Sequence, residues 1–244
     1  MAENQTPLEQ AETPDSPNAP GLEHVEDWIF DLDNTLYPAT SSLFPQIDVR
    51  MKEFIAAFLK VDPHTAFEIQ KRYYHEYGTT LRGLMLKHGL EPDEFLAYVH
   101  DVDHSVLEPC AALDAALTAL PGRKLIFTNG SERHAERVLE TLQLAHHFDG
   151  IFDIRAAQFI PKPQPETYAA MLRHFSVRPE VSAFFEDSAL NLKPAAEIGM
   201  TTVWVRPHDV QWFRHTHDLS YCHHITDDLV EWLEAAGKTL SPRG

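Results

Sequence analysis

The chain has 244 residues, 43% of them hydrophobic, enough for one large domain or two small ones. Lys and Arg number 20 against 37 Asp and Glu, a formal charge of −17, which argues against a polymeric nucleic acid as partner because phosphate backbones need a basic footprint. No apolar run reaches the roughly 18 residues that cross a bilayer, and the polar, acidic start MAENQTPLEQ is no secretory signal, so the expected location is the cytoplasm.

Residues 1–22 carry Pro14, Pro17 and Pro20 among Glu, Gln, Asn and Ser, the composition of a disordered tail. A first strand is predicted over 27–32. Helical segments follow at 45–60, 63–76, 79–88 and 92–102. Pro63 and Pro92 suit first helical positions, while Gly78 and Gly89 suit helix ends. After Pro109 the pattern alternates: helix 110–119, strand 123–128, helix 131–142, strand 150–154, helix 165–175, strand 182–186, helix 189–198, strand 201–205. A last helix is predicted over 226–236. The alternation predicts an α/β fold, a Rossmann-like parallel sheet with helices on both faces, and a helical cap inserted after the first strand. The expected division is a tail at 1–22, a core at 23–37 and 106–244, and a cap at 38–105. In such sheets ligands lie at the carboxyl ends of the strands.

Three apolar strands end in polar groups. Trp28-Ile29-Phe30 runs into Asp31 and Asp33, Leu125-Ile126-Phe127 into Thr128 and Asn129, and Ala183-Phe184-Phe185 into Glu186 and Asp187. Residues two apart on a strand share a face, so both Asp31 and Asp33 can reach one site. Buried carboxylates side by side repel, so a metal ion or a shared proton is expected there. The plainer reading of Asp31 to Thr35 is a loop capping a helix at Thr35. Lys162 stands between Pro161 and Pro163, which fix the backbone around it; an exposed loop lysine is the plainer alternative. Glu186-Asp187-Ser188 can equally cap a helix at 189.

An acid pair, a Thr, a Lys and a second acid pair, in that order and at strand ends, resemble the four motifs of the haloacid dehalogenase-like phosphohydrolases. The resemblance runs from about Trp28 to about Leu233. It implies that Asp31 attacks phosphorus to form an aspartyl-phosphate, and that Asp33 serves first as general acid and then as general base. It also implies Mg²⁺ held by Asp31, Asp187 and the backbone carbonyl of Asp33, with Glu186 as a further ligand or an outer-shell acceptor, Lys162 neutralising charge, and Thr128 and Asn129 binding phosphoryl oxygens. An all-oxygen donor set suits that ion. The dehalogenase branch lacks an acid at the second position, so Asp33 implies a phosphatase or phosphomutase. Asn34 replaces a frequent glycine, and Ala189-Leu190 stand where a basic residue is usual.

Leu36-Tyr37-Pro38, Glu76-Tyr77-Gly78-Thr79-Thr80-Leu81-Arg82 and Phe184-Phe185-Glu186-Asp187 look like the pyrimidine 5′-nucleotidase branch. That resemblance implies UMP or CMP as substrate, a small mononucleotide; sugar phosphates or other small phosphometabolites are the alternative. Tyr73, Tyr74 and Tyr77 have the chemistry to stack on a base, and Thr79, Thr80 and Arg82 to hydrogen-bond it; a lid core with a solvated turn is the plainer reading. His100 and Asp101 read as ligand contacts or as a buried pair at a hinge. Cys110 and Cys222 read as free thiols. The pairs His146-His147, His215/His217 and His223-His224 read as surface or partner-facing groups, since their spacing fits no zinc pattern.

Overall fold

The computed structural model describes residues 21–207 and 219–240. Among them a six-stranded, all-parallel sheet has the order β3-β2-β1-β4-β5-β6. The strands are β1 (Asp27–Phe30), β2 (Arg123–Phe127), β3 (Gly150–Phe152), β4 (Ser182–Glu186), β5 (Thr201–Val205) and β6 (His224–Thr226). Side chains alternate across the sheet, so each strand feeds two cores. Trp28, Phe30, Ile126 and Phe185 face a layer made by α5 (Ala111–Ala119), α6 (Glu132–Thr141) and α9 (Leu229–Leu240). Ile29, Leu125, Phe127 and Phe184 face α7 (Pro165–Phe175) and α8 (Ala189–Glu197). This is the α/β, Rossmann-like architecture with helices on both faces.

Four helices lie between β1 and α5: α1 (Leu43–Leu59), α2 (Pro63–Tyr77), α3 (Thr80–His88) and α4 (Pro92–Val99). They bury an apolar cluster of their own, including Ile47, Phe54, Ile69, Tyr73, Leu84 and Phe95. Local chemistry sets their ends. The Asp62 carboxylate accepts from the backbone N–H of His64 and Thr65 at the start of α2, with Pro63 behind it. Gly89, at φ 64°, closes α3 in the left-handed conformation.

Several expectations shift. β1 stops at Phe30, so Asp31 and Asp33 lie in the turn beyond it and not on a strand. No helix starts at Thr35; the chain turns until α1. Asn34 adopts φ 63°, a conformation that Gly and Asn tolerate best, which accounts for an Asn where glycine is frequent. The His-rich stretch near 224 holds a sixth strand, and α9 starts at Leu229. His224 is buried, and His223 Nδ1 accepts from the Thr202 backbone N–H, so these two are scaffold and not surface groups. His215 and His217 lie outside the described residues, as does nearly all of the expected tail. His147 is half-buried and, with exposed His146, donates to Asp114. Neither cysteine forms a disulfide; Cys110 is exposed and Cys222 buried. Among the described residues no helix is long and apolar enough to cross a membrane.

Candidate active site

The sheet order places β1 centrally, with β2 on one side and β4 on the other, so the chain reverses its direction of winding at β1 and opens a crevice at the strand ends. Asp31 follows β1, Thr128 follows β2, Glu186 ends β4 and Asp187 follows it. Lys162 enters from the loop after β3. Its side chain is 1% exposed, and its ammonium donates to Asp31 Oδ1 at 2.7 Å, Glu186 Oε2 at 2.6 Å and Phe127 O at 2.7 Å. All three protons are thus used, which is what a buried ammonium requires. Asn129 clamps the lysine from behind: its Oδ1 accepts from Lys162 N at 2.8 Å and its Nδ2 donates to Lys162 O.

Thr35 links the two acid segments. Its hydroxyl donates to Asp31 Oδ2 and accepts from Asp187 N at 3.1 Å. Oxygens of Asp31, Glu186 and Asp187 lie within 4.8 Å of one another. Burial and the neighbouring Glu186 push the Asp31 carboxyl up to about 7 despite the Lys162 ammonium. Burial, then Glu186 and Asp31, push Asp187 well above the carboxylate range. Burial opposes the charge on Lys162, but Asp31 and Glu186 outweigh it and raise the ammonium. Ionising all three carboxyls would leave more negative charge than one lysine balances, which is why Asp31 and Asp187 hold their protons more tightly, and the donors are oxygens only. That donor set fits a hard divalent cation such as Mg²⁺.

The Asp33 carboxylate is not part of this trio. The turn after β1 swings it away, and its Oδ1 accepts from Tyr37 Oη at 2.5 Å and His134 Nε2 at 2.8 Å. Burial would raise Asp33, but the charge and hydrogen bond of His134, with the Tyr37 bond, hold it down at about 2. Asp33 thus stands beside the acidic trio and not within it, because the backbone is no longer extended there. Thr128 is buried beside it, and its Oγ1 accepts from Gly130 N, leaving the hydroxyl proton free for a ligand.

The helical insert meets this crevice at two points. Gly78 sits at φ 82°, and a Cβ there would lie 3.1 Å from Lys162 O, so only glycine allows the α2–α3 turn to approach the lysine loop. Tyr74 is half exposed, yet its hydroxyl end faces Ser188 and the acids; burial, then Asp187 and Glu186, push its phenol up to about 12. The other insert residues behave differently. Thr80 is buried and donates to Gln70 O, and Thr79 Oγ1 accepts from Arg82 N as the cap of α3. The Thr80 hydroxyl proton is thus used within the insert, while Thr79 caps α3 through its oxygen. Tyr73 is buried with its Oη against His88 Nε2. Arg82 is part-buried in the first turn of α3. His100 and Asp101 do not pair: Asp101 is exposed and meets Arg50, while His100 turns inward.

Sequence reasoning missed Thr35, Tyr37 and His134. A signal for the last was present: His134 shares the buried face of α6 with Ala135, Val138 and Leu139, and a histidine on an apolar helix face needs a polar partner.

A family model described as haloacid dehalogenase-like hydrolase matches residues 29–199. The chain belongs to this family. Phosphate metabolism protein 8 of Saccharomyces cerevisiae is 28% identical over 191 residues, covering 71% of this chain and 59% of the yeast protein. A 64-residue stretch is 36% identical to bifunctional epoxide hydrolase 2 of Rattus norvegicus, covering 26% of this chain and 11% of that protein. The chain thus spans less than two thirds of the curated relatives it matches. Among solved structures, an HAD phosphatase from Thermococcus onnurineus superposes with a TM-score of 0.59 at 16% identity, over 87% of this chain and 98% of that one. A magnesium-bound putative HAD-hydrolase from Bacillus subtilis gives 0.58 at 15% identity, over 87% and 98%. The L-2-haloacid dehalogenase of Xanthobacter autotrophicus gives 0.53 at 15% identity, over 90% and 100%. At these identities the likeness is one of fold, shared by phosphatase and dehalogenase alike.

Proposed function

We propose that this hydrolase is a magnesium-dependent phosphomonoesterase, a 5′-nucleotidase acting on pyrimidine mononucleotides such as UMP and CMP. The observation that carries the reaction class is the buried Lys162 ammonium shared between Asp31 and Glu186, with Asp187 alongside. It sets one carboxylate oxygen beside a cationic centre and an unbalanced acidic trio, the charge layout that phosphoryl transfer needs. Asp31, Glu186 and Asp187, with the backbone carbonyl of Asp33, would hold the magnesium, which when bound neutralises phosphoryl charge.

In the reaction, an Asp31 carboxylate oxygen attacks phosphorus, the bond to the ester oxygen breaks, and an aspartyl-phosphate forms. The leaving oxygen takes a proton by way of Asp33. A water then attacks phosphorus, gives its proton to Asp33, and the bond to Asp31 breaks, releasing phosphate and restoring the carboxylate. Asp33, held near 2, is a carboxylate at rest, fit for the second step; for the first, its closest proton donors are Tyr37 and His134. Thr128 Oγ and Asn129 N–H bind phosphoryl oxygens, and Lys162 balances the charge on Asp31. Residues 38–105 act as the cap over this crevice, with Tyr74 offering a half-exposed ring for a planar base and Arg82 a further donor.

The test is phosphate release from a panel of esters with Mg²⁺. UMP and CMP are expected to be preferred over hexose phosphates, and EDTA to abolish hydrolysis. Equal turnover of hexose phosphates would remove the nucleotide assignment, and hydrolysis that resists EDTA would remove the metal.

A further inference from the structure

Three histidines meet where the helical insert returns to the core. His134 opens α6. His100 follows α4, and His104 starts a single 3₁₀ turn (His104–Val106) on the returning segment. The His100 and His134 rings stack with centroids 4.4 Å apart and planes 10° from parallel. His100 Nδ1 lies 2.9 Å from Ser131 Oγ, and Ser131 is the N-cap of α6. His104 Nδ1 donates to Val102 O, so its Nε2 is the acceptor facing His134 Nδ1 at 3.4 Å. His134, whose side chain is fully buried, therefore has its ring gripped on one face and at one nitrogen. Its other nitrogen, Nε2, donates to Asp33 at 2.8 Å.

We propose that His134 is a positioning residue for the acid–base group Asp33, and that His100 and His104 fix its ring. The argument is geometric. Asp33 sits on a loop turn, not on a strand, and an unanchored carboxylate there rotates about χ1 and χ2. Tyr37 reaches the same oxygen from four residues on in the same turn, its ring packed in the core, so it anchors Asp33 only within its own segment. His134 is the partner that comes from a rigid helix, 101 residues away, and so ties the carboxylate to the core. The buttressing rings come from the insert's return segment, so they hold His134 in the orientation found with the insert packed against Lys162. The inference rests on the proposed role of Asp33, and goes beyond it in naming the group that makes that role geometrically available.

The test compares a nucleoside monophosphate, whose alkoxide leaving group needs a proton, with p-nitrophenyl phosphate, whose leaving group does not. Full-length protein with Mg²⁺ is assayed for kcat and KM as wild type, Asp33→Asn, His134→Ala, His134→Gln and His104→Ala. Asp33→Asn is expected to lose kcat/KM on the nucleotide by about 100-fold or more, and far less on the nitrophenyl ester. His134→Ala should show the same signature at roughly 10- to 100-fold, with KM held within about twofold. His134→Gln, which restores a donor N–H near the Nε2 position, should recover most of that loss. His104→Ala leaves the Asp33 bond intact and should give a smaller loss, about 3- to 10-fold, in the same direction; it carries the test if melting shows that His134→Ala does not fold. Equal losses on both esters for the His variants, or no recovery with Gln, would overturn the positioning role. Equal losses on both esters for Asp33→Asn would instead overturn the acid role itself.

Discussion

The strand-end crevice and the helical insert use the same kinds of polar residue to opposite purposes. In the crevice, buried Lys162 bonds Asp31 and Glu186 from 131 and 24 residues away, and buried Thr35 joins Asp31 to Asp187, 152 residues further on. No local secondary structure needs those bonds, so burying the residues makes sense only if something else uses the charge they concentrate. In the insert, Thr79, Thr80 and Asp62 make bonds that cap or join helices within a few turns of themselves. Their partners are already those that a helix end demands. Long-range mutual bonding among buried ionisable groups thus marks chemistry, and short-range bonding to backbone marks scaffold.

The strongest way to break that contrast is Asp31→Asn. The change is nearly isosteric, so the fold should persist while turnover drops by about a thousandfold or more, read as phosphate release beside an unchanged circular dichroism spectrum. Retained turnover would show that the crevice is not the reacting centre. Next comes Lys162→Met, which leaves Asp31 and Glu186 buried without their cation. It should cost about 3–5 kcal/mol of stability by urea titration without metal, in addition to activity; a wild-type midpoint would mean that the acids are already relieved by other means.

On the insert side, Gly83→Ala tests packing without touching chemistry. An added Cβ would lie 2.4 Å from the Tyr73 ring, at its root and not at a flexible tip. The expected cost is about 1–3 kcal/mol in denaturant unfolding, with KM moving more than kcat. An unchanged midpoint would show that α2 and α3 separate freely.

The smallest effect lies at the junction of the two regions. Burial, and then the facing His134, lower His100 from its ordinary 6.5 to about 3, with Asp33 opposing and His104 and Arg155 reinforcing the shift. The folded state keeps His100 neutral while the unfolded chain takes up a proton below 6.5. Its contribution to stability is therefore intact above pH 6.5 and falls as pH drops towards 3. About 1 kcal/mol should be lost between pH 6.5 and 5.5, and His100→Phe, which keeps a stacking ring, should flatten the stability–pH curve by that amount.

Much of the crevice was readable in the chain because apolar runs that stop at acids are costly without a partner, and three such runs in an alternating pattern must end on one edge of a parallel sheet. Thr35 and Asn129 were less readable. The first looks like a helix cap and turns out to bridge Asp31 to Asp187; the second offers an amide whose real partner is the Lys162 backbone.

By itself, the sequence determined the α/β order of elements, the place of the helical insert after β1, the family, and which acids and which lysine stand at strand ends. These follow from periodicity and burial cost, which act locally along the chain. Only the tertiary structure decided that Asp33 turns from the acidic trio to His134, that Thr80 faces α2 while Tyr74 faces the crevice, and that three histidines from two regions meet at the return of the insert. Those outcomes depend on where a turn redirects the backbone and on which distant helix face comes to meet it, and no local pattern encodes that meeting.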